Sequence, residues 1–133
     1  MELIITEWAL SSYIGLLDKH VFTKETFQKI IRPDVLLLKK GAESDPKFEN
    51  RKFWGPATYQ GRVIHHGWKM KWHNFGNGKI QLRLAVVVVN ERVFLCQGYV
   101  KRDDKVDQRE MALFMNRVQK IILNKQVIIR GVL

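Results

Sequence analysis

The run Leu84–Ala–Val–Val–Val–Val89 is apolar at every position and β-branched through its second half. Side chains of a strand alternate between faces, so this stretch is apolar on both. Such a strand belongs in the centre of a sheet, with helices covering at least one side. It is far too short to cross a bilayer as a helix. Arg83 stands immediately before it. A buried guanidinium without partners is costly, so Arg83 is expected to open onto a concave polar surface.

The flanking segments complete a meander. Trp68–Phe75, Ile80–Val89 and Val93–Lys101 read as three antiparallel strands, with turns at Gly76–Asn77–Gly78 and Asn90–Glu91–Arg92. Lys69 and Lys71 are two apart and therefore share a face. Their surface is cationic, and its natural guest is a phosphate. The charge distribution agrees. Residues 1–50 hold 7 Lys/Arg against 8 Asp/Glu, a balance of −1, and residues 51–133 hold 16 against 5, a balance of +11, for a total of +10. Basicity concentrated in this way marks a footprint for a polyanion, because each phosphate contact releases counterions.

Before the meander, Leu3–Thr6 reads as an entry strand, and Ser11 or Ser12 is expected to cap a short helix to about Lys19. Thr23 is expected to cap a second helix, with Phe27, Ile30 and Ile31 at helical spacing. Pro33 interrupts it, so the pattern predicts a restart there and an end at Gly41. Gly41 to Gly67 contains Pro46, Pro56 and Gly61 without sustained periodicity. It is read as an extended loop, with short strand pieces near Lys52–Trp54 or Arg62–His65. Asp107–Asn124 reads as a helix with Asp107 near its cap. Its apolar stripe is Met111, Phe114, Met115, Val118, Ile121 and Ile122. The tail, residues 125–133, offers one further strand from Gln126 on.

With 133 residues the chain is long enough for one domain with a real core. The single cysteine, Cys96, leaves no internal disulfide and no thiolate cluster for zinc. It reads as a buried strand residue in a reducing, cytoplasmic setting. The N-terminus lacks the basic region and cleavage site of a secretory signal, so neither export nor membrane association is expected.

The order strand, two helices, three-strand meander, helix resembles the RelE/ParE/HigB superfamily of toxins from type II toxin–antitoxin systems. The residues that carry the resemblance are the opening Leu–Ile–Ile–Thr–Glu–Trp–Ala, the Trp–Lys–Met–Lys–Trp strand and Arg83 before its apolar run. Val93–Phe–Leu–Cys–Gln–Gly–Tyr–Val–Lys–Arg102 leading to Arg109, Glu110 and Arg117 looks most like the HigB type. The loop at 41–67 and the tail at 125–133 exceed the compact family pattern. The resemblance implies an α+β domain with a twisted, mainly antiparallel sheet and helices packed on one face. It also implies growth inhibition by cutting mRNA on the ribosome, with a cognate antitoxin as partner and no cofactor. Members of the ParE type instead inhibit DNA gyrase, and a non-catalytic nucleic-acid-binding module is a third reading of the same basic sheet.

RNA cleavage without metal requires a base for the 2′-hydroxyl, cations for the phosphate and an acid for the 5′-oxygen. Arg83 stays protonated and serves as the cation. Lys71, crowded by like charges, can lend a neutral amine, and His73 shares its face. Of Lys101 and Arg102 only one can face the cleft, and Arg102 is the family analogue favoured for phosphate binding. Lys69, Lys101, Arg62 and Tyr99 are the expected RNA contacts, Tyr99 by stacking. Each has a plainer reading. Tyr99 fits a half-buried sheet position, His65 and His66 fit a solvated loop, Arg109 and Arg117 fit a solvated helix face or pairs with Glu110 or Asp107, and Trp68 and Trp72 share one core or rim face.

Overall fold

In a computed structural model that describes residues 1–75 and 79–133, the chain is α+β, built on a six-stranded mixed sheet. The turn expected at residues 76–78 lies outside the described residues. β1 (Glu2–Thr6) leads directly into α1 (Glu7–Asp18). A helical run follows, made of α2 (Lys24–Thr26), a π-helical turn (Phe27–Ile31), α3 (Arg32–Leu36) and a 3₁₀ turn (Leu37–Lys40). Then come β2 (Trp54–Tyr59), β3 (Arg62–Phe75), β4 (Ile80–Val89), β5 (Arg92–Val100), α4 (Asp104–Ile122) and β6 (Ile129–Val132). The strand order is β2-β3-β4-β5-β1-β6; β1 runs parallel to β5 and the other pairs are antiparallel.

The apolar run is central, as its composition requires. Val86 and Val87 of β4 are both fully buried, one on each face. On one face Leu3, Met70, Trp72, Leu82, Val86 and Leu95 pack with Phe22, Ile31, Val35 and Leu38 of the first helical segments. The expectation of helices on one face holds for this layer. α4 adds a layer over part of the other face, where Met111, Phe114, Val118 and Ile121 meet Ile4, Ala57, Ile64, Ala85, Val87 and Phe94. Among the described residues no helix is long and apolar enough to cross a membrane.

Several boundaries differ from the sequence reading, each for a local reason. α1 is capped by Thr6 rather than Ser11 or Ser12: Thr6 Oγ1 accepts from the Ala9 amide at 3.2 Å and donates to the Leu95 carbonyl at 2.7 Å. Ser12 instead ties α1 to β5, accepting from the Gly98 amide at 2.9 Å. Thr23 does cap its helix, and Gly41, at φ 89°, ends the run where expected. The run passes Pro33 because that residue sits in the first turn of α3, where its missing amide is not needed.

The extended loop at 41–67 is corrected. It contains 3₁₀ turns at Ala42–Ser44 and Pro46–Glu49, all of β2, and the first residues of β3, joined by a two-residue hairpin at Gln60–Gly61. Two features hid these strands. Pro56 occupies an edge strand, which tolerates a missing donor, and a register shift between Pro56 and Thr58 breaks the alternation of apolar residues. α4 also starts earlier than expected. Asp103 is its cap, accepting from the Val106 amide at 2.8 Å, so Asp107 lies inside the helix. Met115 and Ile122, expected in the apolar stripe, are exposed. The tail supplies β6 against β1.

Candidate functional site

Arg83 of β4 lies directly across from Lys71 of β3 on one side and Tyr99 of β5 on the other. Residues paired in this way share a face. Two residues back along β3, Lys69 is on that face too, opposite Ala85. Lys101 joins them, its amide bonded to the Gln81 carbonyl at 2.8 Å. β5 reaches this arrangement through a bulge. Ala85 pairs with Gln97 and Val86 with Leu95, leaving Cys96 as the extra residue. Val93 and Leu95 therefore face the first helical layer, whereas Gln97 and Tyr99 face α4. Without the bulge Tyr99 would follow Leu95 onto the wrong side.

α4 closes one end of the cluster through Asp107, which is 6% exposed. Asp107 accepts from the Tyr99 hydroxyl at 2.5 Å and from Lys69 Nζ at 3.2 Å. Burial works against the charge of Asp107, but the Tyr99 hydroxyl and the Lys69 ammonium together hold its pKa below the ordinary carboxylate value. Tyr99 is pushed the other way, first by burial and then by the bond to Asp107, so it stays a neutral donor. Its ring is buried and its hydroxyl committed, which corrects the expectation that it stacks on a base.

Of the four cations in this cluster, two have no carboxylate within ion-pair distance among the described residues: Arg83 and Lys71. Arg83 is only 6% exposed, and its side chain makes one hydrogen bond, from Nη1 to the Leu82 carbonyl at 3.2 Å. Burial lowers its pKa while Tyr99 and Asp107 raise it; a guanidinium stays protonated regardless. Lys71 Nζ donates to the Arg51 carbonyl at 3.1 Å. Its side chain crosses Gly55, where an added Cβ would stand 3.4 Å from Nζ. Its pKa is lowered by burial, then by the positive charges of Lys69, Arg83 and Lys101. The arrangement can hold a tetrahedral dianion or a phosphodiester at Arg83 and offers an amine that holds its proton less firmly than a free lysine does.

The other candidates fall outside this centre. Lys101, not Arg102, is the residue whose charge reaches Lys71 and Asp107. Arg102 is exposed and lines a hollow with Ser12, Leu16 and Lys19 of α1 and with Tyr99 and Glu110, and it is Lys101 that shares the face of Lys71 and Arg83, contrary to the preference for Arg102. His73 lies at the margin: Nε2 donates to the Lys52 carbonyl and Nδ1 is 2.9 Å from Gln81 Oε1, so both nitrogens are engaged. Arg62 is exposed at the β2–β3 hairpin. His65 and His66 have ring centroids 3.9 Å apart, at the irregular part of β3. Arg117 bonds Gln97 at 2.8 Å and lies over the Trp8 ring, so it is structural rather than solvated.

Asp107 is the residue that the sequence reading undervalued. The signal was present: 107, 111, 114, 118 and 121 follow one helical stripe, and an aspartate on an apolar stripe demands a buried partner. No family model, no curated protein and no solved structure matches the chain.

Proposed function

We propose that the chain is a toxin of the RelE/HigB type, cutting mRNA on the ribosome without metal and held in check by a cognate antitoxin. The observation that carries this reading is a buried guanidinium, Arg83, that has no carboxylate partner among the described residues and stands across from Lys71. A charge left unmatched inside a fold is destabilising, and an anionic ligand is what would match it. In the proposed reaction the neutral amine of Lys71 takes the proton from the ribose 2′-hydroxyl. The oxygen attacks the adjacent phosphorus, and Arg83 binds the phosphoryl oxygens as charge builds on them. The 5′-oxygen leaves with a proton from the ammonium of Lys101, whose pair with Asp104 stands at the exposed margin. The products are a 2′,3′-cyclic phosphate and a free 5′-hydroxyl. Lys69, held by Asp107, is a fixed cation that raises the acidity of Lys71.

The antitoxin is expected to be a small acidic or amphipathic protein, because a face this basic is most simply neutralised by opposite charge. Inducible expression of the wild type beside Arg83→Ala tests the reading, with growth and transcript 5′ ends as readouts. Arrest with codon-phased cuts that vanish in the variant is the expected result. Arrest with intact transcripts and DNA breaks would move the assignment to gyrase. Harmless expression with salt-sensitive RNA binding would leave a non-catalytic binding module.

A further inference from the structure

The face opposite the cationic cluster contains a hollow of about 260 Å³ between α1, the Phe27–Val35 helical segment and the sheet. Interiors are close-packed, with few voids larger than a water, and an unfilled apolar cavity weakens a fold. The packing around this one is consistently incomplete. α1 carries Ala9, Leu10, Tyr13, Ile14, Leu16 and Leu17, yet none of its residues is buried. Leu84, in the most central strand and on the helix-covered side, is only half-buried. The π-helical turn at Phe27–Ile31, a departure common at functional sites, forms part of the wall. Arg32 stands on the rim, half-buried, and makes no side-chain hydrogen bond or ion pair among the described residues. Among the described residues no acidic side chain lines the hollow, and its polar lining besides Arg32 includes Ser12, Gln28 and Arg83.

We propose that this hollow binds a single-chain amphiphile with an apolar tail and a carboxylate head, of the medium-chain fatty acid class, the tail lying against Leu84 and Phe27 and the head on Arg32. Size and charge both select it. The volume is enough for a single alkyl chain and too small for a folded segment. The guanidinium of Arg32, without a partner among the described residues, at the edge of a mostly apolar space matches one anionic group. The proposal is independent of the reaction on the other face.

Titration of the full chain with decanoate below its micellar range tests it, followed by calorimetry and by tryptophan emission, since Trp72 lines the hollow. Saturable one-to-one binding that raises the melting temperature is expected. Arg32→Gln is expected to weaken decanoate by about tenfold, the loss of one charge-assisted hydrogen bond. The same variant should leave decanol, which lacks the carboxylate, unchanged. Ala9→Phe, which fills the hollow, should abolish binding while the unliganded protein melts no lower than the wild type. Non-saturable uptake, or binding indifferent to both Arg32→Gln and Ala9→Phe, overturns the proposal. Loss of a co-purifying protein in Ala9→Phe without any decanoate binding would reassign the hollow to a protein anchor, and so would overturn it too.

Discussion

The two faces of the sheet each bury an aspartate that holds a lysine and an aromatic donor, and they differ in what is left over. On the first helical side Asp34 accepts from Lys47 Nζ at 2.6 Å and from Trp72 Nε1 at 2.9 Å. Its lysine is largely solvated, and the group is neutral in sum. On the other side Asp107 accepts from Lys69 and Tyr99 in much the same way, but both members of the ion pair are about nine-tenths buried. Lys71 and Arg83 then stand beside it unmatched. A buried ion pair is therefore no sign of function by itself. The surplus of buried positive charge is the sign, because folding alone gives no reason to keep it.

The largest effect expected from breaking this comparison is on Asp107. Asp107→Ala strands Lys69 in the interior beside two other cations, and should cost about 3–5 kcal/mol in denaturant unfolding. Acid should mimic it. The contribution of Asp107 is complete above the ordinary aspartate pKa of about 4 and is lost as pH falls through its lowered value in the fold. Arg83→Met should separate stability from function. Under the proposed function, RNA cleavage should fall about 10²–10³-fold, while the melting temperature holds or rises because an uncompensated charge has gone. A melting temperature that drops with activity would mean that Arg83 is structural and that the two faces are alike.

Lys71 sharpens the contrast through pH. As its pKa is lowered by burial and by neighbouring cations, the neutral amine gains population as pH rises. The rate should climb through that lowered value and level off before the ordinary lysine value of about 10.4. Lys71→Met should remove the climb and about 10² of the rate. A wild-type rate that is flat with pH would exclude Lys71 as the base. The smallest effect is expected on the balanced face. Asp34→Ala frees Lys47 into solvent and leaves only the Trp72 Nε1–H unpaired, costing about 1–3 kcal/mol without altering the pH profile.

Much of the architecture was legible because it rests on local periodicity. The central position of β4, the shared face of Lys69 and Lys71, the Thr23 cap and the Gly41 stop each follow from a few consecutive residues. The expectations that the structure corrects share another cause. The sequence read β2 as loop because a proline and a register shift interrupt its alternation, and both are tolerated only at a sheet edge. Sequence alone favours Arg102 over Lys101, and only the strand phase set by the bulge reverses that order.

What the sequence by itself determined, then, is the inventory of cations and the period-two spacing that puts them on strand faces, since side-chain alternation is a property of any extended backbone. Tertiary structure decided which of those cations stay unmatched. The bulge at Cys96 reverses the phase of β5 and turns Tyr99 toward Arg83. α4 then folds back across the sheet and brings a single carboxylate, Asp107, to Lys69 and Tyr99 but not within ion-pair distance of Arg83 or Lys71. Neither event is encoded in a short window, because each depends on the packing of segments far apart in the chain.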